Sequence, residues 1–115
     1  MKVRTVTQGR MKPRYNPVPT AAEARHREEV RKHGCAKGCG GPVEVHHLKQ
    51  MCAGKRWSAR DHRFQVPLCF ECHRGDSGVH ALEERKWCER NDCDLPALAV
   101  RLEAESVAMG ILSDG

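Results

Sequence analysis

A chain of 115 residues with 39% hydrophobic and 4% aromatic content has material for one thinly cored domain with at most a short appendage. No apolar run approaches the roughly 20 residues of a membrane span or the length of a signal h-region, so the expected setting is the cytoplasm, with no membrane partner. The formal charge of +5 is spread unevenly: residues 1–19 hold five cations and no acid, residues 49–63 five cations against one acid, and residues 81–115 four cations against eight acids. This predicts a basic side suited to a polyanion and an acidic rear.

Residues 1–19 lack periodicity, and Pro13, Pro17 and Pro19 disfavour both helix and paired strand. They read as a basic flexible arm, either a solubilising tail or a phosphate-contacting one. A helix is expected over 20–34, with Thr20 as N-cap, Glu23 as its capping-box partner and Gly34 as the stop. Ala22, Ala24 and Val30 give it a weak apolar face, so it should pack lightly and leave His26 and His33 in solvent.

Cys35-Ala-Lys-Gly-Cys39 followed by Gly-Gly-Pro is a glycine-rich knuckle, and Cys69-Phe-Glu-Cys72 is a second close pair. Disulfides rarely persist in a cytosol, so metal is the better reading of these cysteines. Two close pairs some thirty residues apart suit a structural zinc held by Cys35, Cys39, Cys69 and Cys72. Cys52, Cys88 and Cys93 lack such company and read as free thiols.

Val43–Val45 and Phe64–Val66 alternate apolar and polar residues and should be paired strands, with Pro67 at the strand end. Adjacent strand residues face opposite ways, so His46 and His47 cannot share one job. Between the strands, Lys49, Lys55, Arg56, Arg60 and Arg63 are candidates for contacting DNA phosphates, which would give affinity and register but little sequence readout. Trp57 would either wedge against a base or anchor the loop. After Cys72 a short turn should carry His73, and one helix over 79–91 should begin near His80 and plug the core with Leu82 and Trp87. Asp94 should cap a last helix with Pro96 in its first turn, Gly110 should end it, and the final five residues should fray. The expected fold class is therefore a small zinc-stabilised α+β domain, divided as arm 1–19, N-terminal helix 20–34, central unit 35–91, and C-terminal helix and tail 92–115.

The pair His46-His47, the basic loop, a middle polar residue, PLCFECH and the trailing His80 together resemble the HNH endonucleases, the ββα-metal nuclease class. The stretch GKRWSARDHRFQVPLCFECHRGDSGVHAL is most similar to small phage and prophage members of the recombination-associated group, which implies a bacterial cell and a phage-encoded origin. The resemblance covers roughly residues 35–87. It implies a ββα-metal finger between flanking helices, with His46, His73 and His80 holding a divalent metal such as Mg²⁺ or Mn²⁺ and His47 acting as general base. His62 takes the middle role, with Asp61 as its competitor. The seven-residue gap from His73 to His80 departs from the single helical turn usual in the class.

The chemistry asks for these residue types on its own account. Cutting a phosphodiester needs an activated water and charge neutralisation at the phosphate. Neutral imidazole serves the first, and a divalent cation the second. The expected function is a metal-dependent DNA endonuclease or nickase, acting as a monomer or dimer. The alternative is a non-catalytic zinc-knuckle module that binds DNA or protein. A redox role for Cys69-x-x-Cys72 finds no surrounding βαβ pattern.

Overall fold

The computed structural model describes residues 18–52 and 62–113. The arm through residue 17, Lys55, Arg56, Trp57, Arg60 and Asp61 lie outside the described residues. The order of elements is helix α1 (Ala21–His33), strand β1 (Glu44–His47), a 3-10 turn (Lys49–Cys52), strand β2 (Gln65–Leu68), and helices α2 (Phe70–Arg74), α3 (Val79–Leu82), α4 (Glu84–Asn91) and α5 (Leu95–Ala108). This is a small α+β protein with a two-stranded sheet. None of the described helices is long and apolar enough to cross a membrane.

The strands pair antiparallel with Glu44 opposite Leu68 and His47 opposite Gln65, so each runs two residues beyond its expected end. Pro67 sits within β2 rather than after it, and the register shows why it is tolerated. The Ala36 N–H donates to the Pro67 carbonyl at 2.8 Å. A strand residue directs its N–H and C=O to the same side, so the missing proline donor faces the cysteine knuckle and costs the β1–β2 ladder nothing.

The core gathers Leu48, Val66, Leu68, Val79, Trp87 and Leu95, with Trp87 buried as its size demands. The capping box of α1 forms: the Glu23 N–H donates to Thr20 Oγ1 at 3.1 Å and the Thr20 N–H to Glu23 Oε1 at 2.8 Å. The expectation of a lightly packed α1 is corrected, because Val30 and His26 are both 0% exposed. His26 reaches Ser106 of α5 at 2.7 Å and the Arg63 carbonyl at 2.9 Å. A carbonyl can only accept, so Nε2 carries the proton and Nδ1 takes the Ser106 hydroxyl hydrogen. Burial pushes the His26 pKa down, in keeping with a neutral ring. His33 is exposed, as expected of it.

Two further expectations change. The C-terminal tail does not fray within the described residues: Leu112 is buried, and the Ser113 carbonyl accepts from the Arg63 guanidinium at 2.6 Å. The single helix over 79–91 is broken at Glu83, whose φ of 82° and ψ of 147° fall in a region that glycine alone occupies readily. The break lets α3 and α4 take different directions while Trp87 still reaches the core. Such a conformation costs of order 1–3 kcal/mol, partly offset on replacement by the greater unfolded-state freedom of glycine. Glu83→Gly is therefore expected to stabilise the fold by about 1 kcal/mol, a rise in Tm of roughly 4–8 °C for a domain of this size. Thermal denaturation checks this, and an unchanged or lower Tm refutes the strain.

Candidate metal centre and its surroundings

The cysteine knuckle is built by local sequence. Gly38 and Gly40 adopt φ of 82° and 81°, turning the chain around Cys39, and the Gly38 N–H donates to the Cys35 carbonyl at 2.8 Å. Cys69 and Cys72 enter from the start of α2. The four sulfurs converge within 4.8 Å of one another. Cys72 Sγ lies 3.9 Å from Cys35 Sγ and 3.6 Å from Cys39 Sγ. A tetrahedral zinc with bonds of about 2.3 Å sets its sulfurs about 3.8 Å apart, so the cluster has the dimensions of a zinc thiolate site. Burial raises the Cys35 thiol, but backbone N–H donors from Cys69, Lys37 and Cys39 outweigh it and bring its pKa down to about 6. Burial and the neighbouring sulfurs push Cys72 up. Deprotonated by a bound cation, four sulfurs this close could hold zinc. Cys88 and Cys93 stand apart from it as half-buried free thiols.

The second cluster is His46, His73 and His80. His46 Nδ1 is 3.3 Å from His73 Nε2, which is 3.0 Å from His80 Nε2. Nitrogens bonded to one metal at about 2.1 Å lie roughly 3.0–3.4 Å apart, so these three could share a cation. The seven-residue gap closes because residues 75–78 fold back on α2. The Gly78 N–H donates to the Gly75 carbonyl at 3.0 Å. A Cβ on Gly78 would lie 2.8 Å from the carbonyl oxygens of Glu71 and Cys72, so the approach that brings His80 to His73 requires glycine there.

Carboxylates stand behind two of these rings. Glu84 Oε2 accepts from His46 Nε2 at 2.7 Å, and Glu44 Oε1 from His73 Nδ1 at 2.7 Å. Each bond fixes the tautomer that leaves the opposite nitrogen, the one facing the cluster, with its lone pair. Glu84 is buried and also accepts the Lys49 N–H at 2.7 Å and the Gln50 N–H at 3.1 Å. Burial would raise its pKa, but the His46 ring and these backbone donors outweigh it and hold it at about 2. Arg74, bonded to both Glu44 oxygens, and then His73 bring Glu44 to about 2. Burial, together with the neighbouring rings and cations, lowers His73 and His80. Metal ligation needs that neutral form. Substituting Glu84→Gln keeps one oxygen, enough for His46 Nε2 and the Lys49 N–H at the Oε2 position, but loses the acceptor of the Gln50 N–H and removes the charge behind His46. Mn²⁺ affinity at the histidine cluster, read by titration calorimetry, is expected to fall about tenfold.

His47 faces away from this cluster, as strand alternation predicts. Its Nε2 lies 3.1 Å from Nδ1 of the buried His62, so the general-base candidate and the middle-role candidate are brought together. Lys49 is exposed and borders a cavity of about 240 Å³ that opens beside His46 and His80, with Gln50 and Arg85 also on its wall. Arg63, expected to contact phosphate, is tied within the chain. Its guanidinium donates to Glu103 at 3.0 and 2.6 Å and to the Ser113 carbonyl, so those donors are already engaged within the chain.

Sequence reasoning missed Glu44, Glu84 and His26. The signal for Glu44 was present, since it lies two residues before His46 and therefore on the same strand face. Glu84 lies four residues after His80, but the break at Glu83 hides what it reaches. No family model, curated protein or solved structure matches the chain.

Proposed function

We propose that this chain is a metal-dependent DNA endonuclease or nickase of the HNH type, with β1, β2 and the helices after β2 as its ββα-metal finger. The observation that carries the reading is the division of labour on β1. His46 joins His73 and His80 in a cluster backed by carboxylates, while its neighbour His47 faces the other way and pairs with His62. A structural site has no use for the second histidine pair.

A divalent metal bound at the three histidines would supply charge neutralisation at the phosphate and at the leaving oxygen. His46, His73 and His80 would hold it, the first two with the cluster-facing nitrogen kept unprotonated by Glu84 and Glu44. His47 accepts the proton of the attacking water as general base, and His62 sets the direction of its ring. Lys49, on the rim of the adjoining cavity, contributes a cation for the DNA backbone. Cys35, Cys39, Cys69 and Cys72 would hold a zinc that ties α2, and with it His73, to the sheet.

A supercoiled-plasmid assay across Mg²⁺, Mn²⁺, Co²⁺ and Ni²⁺ tests the reading. Relaxed circles appearing before linear product are expected. A protein that binds the plasmid equally well in EDTA and never nicks it would instead be a binding module.

A further inference from the structure

Residues 62–65 lead the chain into β2 and carry His62, and they are gripped largely from outside the two-stranded unit. The His62 carbonyl accepts from the buried Gln65 side-chain amide. The next carbonyl, of Arg63, accepts from His26 Nε2 of α1 at 2.9 Å. Ser106 of α5 holds the other nitrogen of His26 at 2.7 Å, and Glu103 of α5 holds the Arg63 guanidinium. His26 and Ser106 are both 0% exposed.

A side chain that merely filled the core could be apolar, and a buried imidazole is costly unless both nitrogens are matched. Both are matched here, to groups 80 and 37 residues away in the chain. The carbonyl it grips belongs to the residue after His62, and no flexible side chain intervenes between them. From His62 the chain of contacts continues to His47 at 3.1 Å.

We propose that His26 is a positioning residue for the nuclease site: by holding the Arg63 carbonyl from α1 it sets the place of His62, and through His62 the ring of His47. The inference rests on the nuclease reading. It assigns to α1 and α5, which lie outside the metal finger, the task of aiming the general base.

The test compares His26→Leu with His26→Gln, each alone and combined with His62→Ala, by nicking kinetics and zinc content. His26→Leu is expected to lower kcat about 10- to 100-fold with KM and zinc unchanged, since misplacement of a reacting group by about an ångström costs that much. His26→Gln, whose amide can still donate to the Arg63 carbonyl, should recover most of the loss. In the His62→Ala background, His26→Leu should cost nothing further, because both substitutions remove the same interaction. Equal losses in both backgrounds, or a Gln variant as slow as the Leu variant, would overturn the proposal. Should the Leu variant fail to fold, Ser106→Ala replaces it, with a smaller fall in kcat expected and an unchanged kcat counting against the proposal. If the parent cuts no DNA, the nuclease reading fails by itself. The positioning is then read from imidazole NMR signals: those of His62 should shift in the His26 variant while those of His80 hold, and unmoved His62 signals overturn it.

Discussion

Stripping zinc with a strong chelator, or replacing Cys72 by Ala, is expected to unfold the domain rather than soften it. Structural zinc contributes about 10–16 kcal/mol of apparent binding energy at neutral pH, and a small domain has a net stability of about 5–15 kcal/mol in all. The zinc would cross-link two places that hydrogen bonding alone joins weakly. The knuckle of residues 35–39 meets β2 through the bond from Ala36 to Pro67, and Cys69 and Cys72 anchor the five-residue helix α2. A helix that short has no independent stability. Its unravelling would carry His73 away from His46 and so dismantle the histidine cluster as well. Circular dichroism and amide-proton NMR dispersion, followed with metal content, check this. A metal-free protein with the parent's Tm would show that the cysteines hold no structural ion.

Replacing His47 by Ala should abolish nicking while sparing everything the zinc supports. General-base catalysis contributes about 10²–10⁴-fold, so loss of plasmid relaxation by that order is expected. His47 is half-buried and faces away from the three-histidine cluster, so zinc content, Tm and Mn²⁺ affinity should stay near the parent's. His73→Ala provides the contrast: it should lose activity together with Mn²⁺ affinity, because that ring is shared with His46 and His80 at 3.3 and 3.0 Å. A His47→Ala protein that cuts at the parent's rate would remove the general base from its place, and the two-faced reading of β1 with it.

Much of the candidate site is governed by short-range rules and is legible for that reason. Strand alternation separates His46 from His47 before any contact is known. The spacing of Cys35, Cys39, Cys69 and Cys72 predicts a four-sulfur cluster, and the structure brings the sulfurs together. Thr20 marks a helix start through Glu23 three residues on, and Asp94 marks another, with Pro96 in the first turn and the Ala97 N–H, three residues on, donating to Asp94 Oδ1 at 3.0 Å. The resemblance to HNH nucleases singled out His46, His73 and His80, and those three rings converge.

What the sequence by itself determined is the chemistry available: which residues can bind metal, which can move a proton, and where helices begin. Tertiary structure decided who stands behind whom. His26 belongs to a helix whose apolar face looks too weak to bury anything, and it is buried because partners 80 and 37 residues away satisfy both ring nitrogens. Glu84 becomes the support of His46 only because the backbone turns at Glu83, against local preference, to keep Trp87 in the core. Arg63 counts as a loop cation in sequence, and Glu103 forty residues on makes it a tie. Local patterns encode period and capping; the partner of a buried polar group is set by whichever distant segment the packing places beside it.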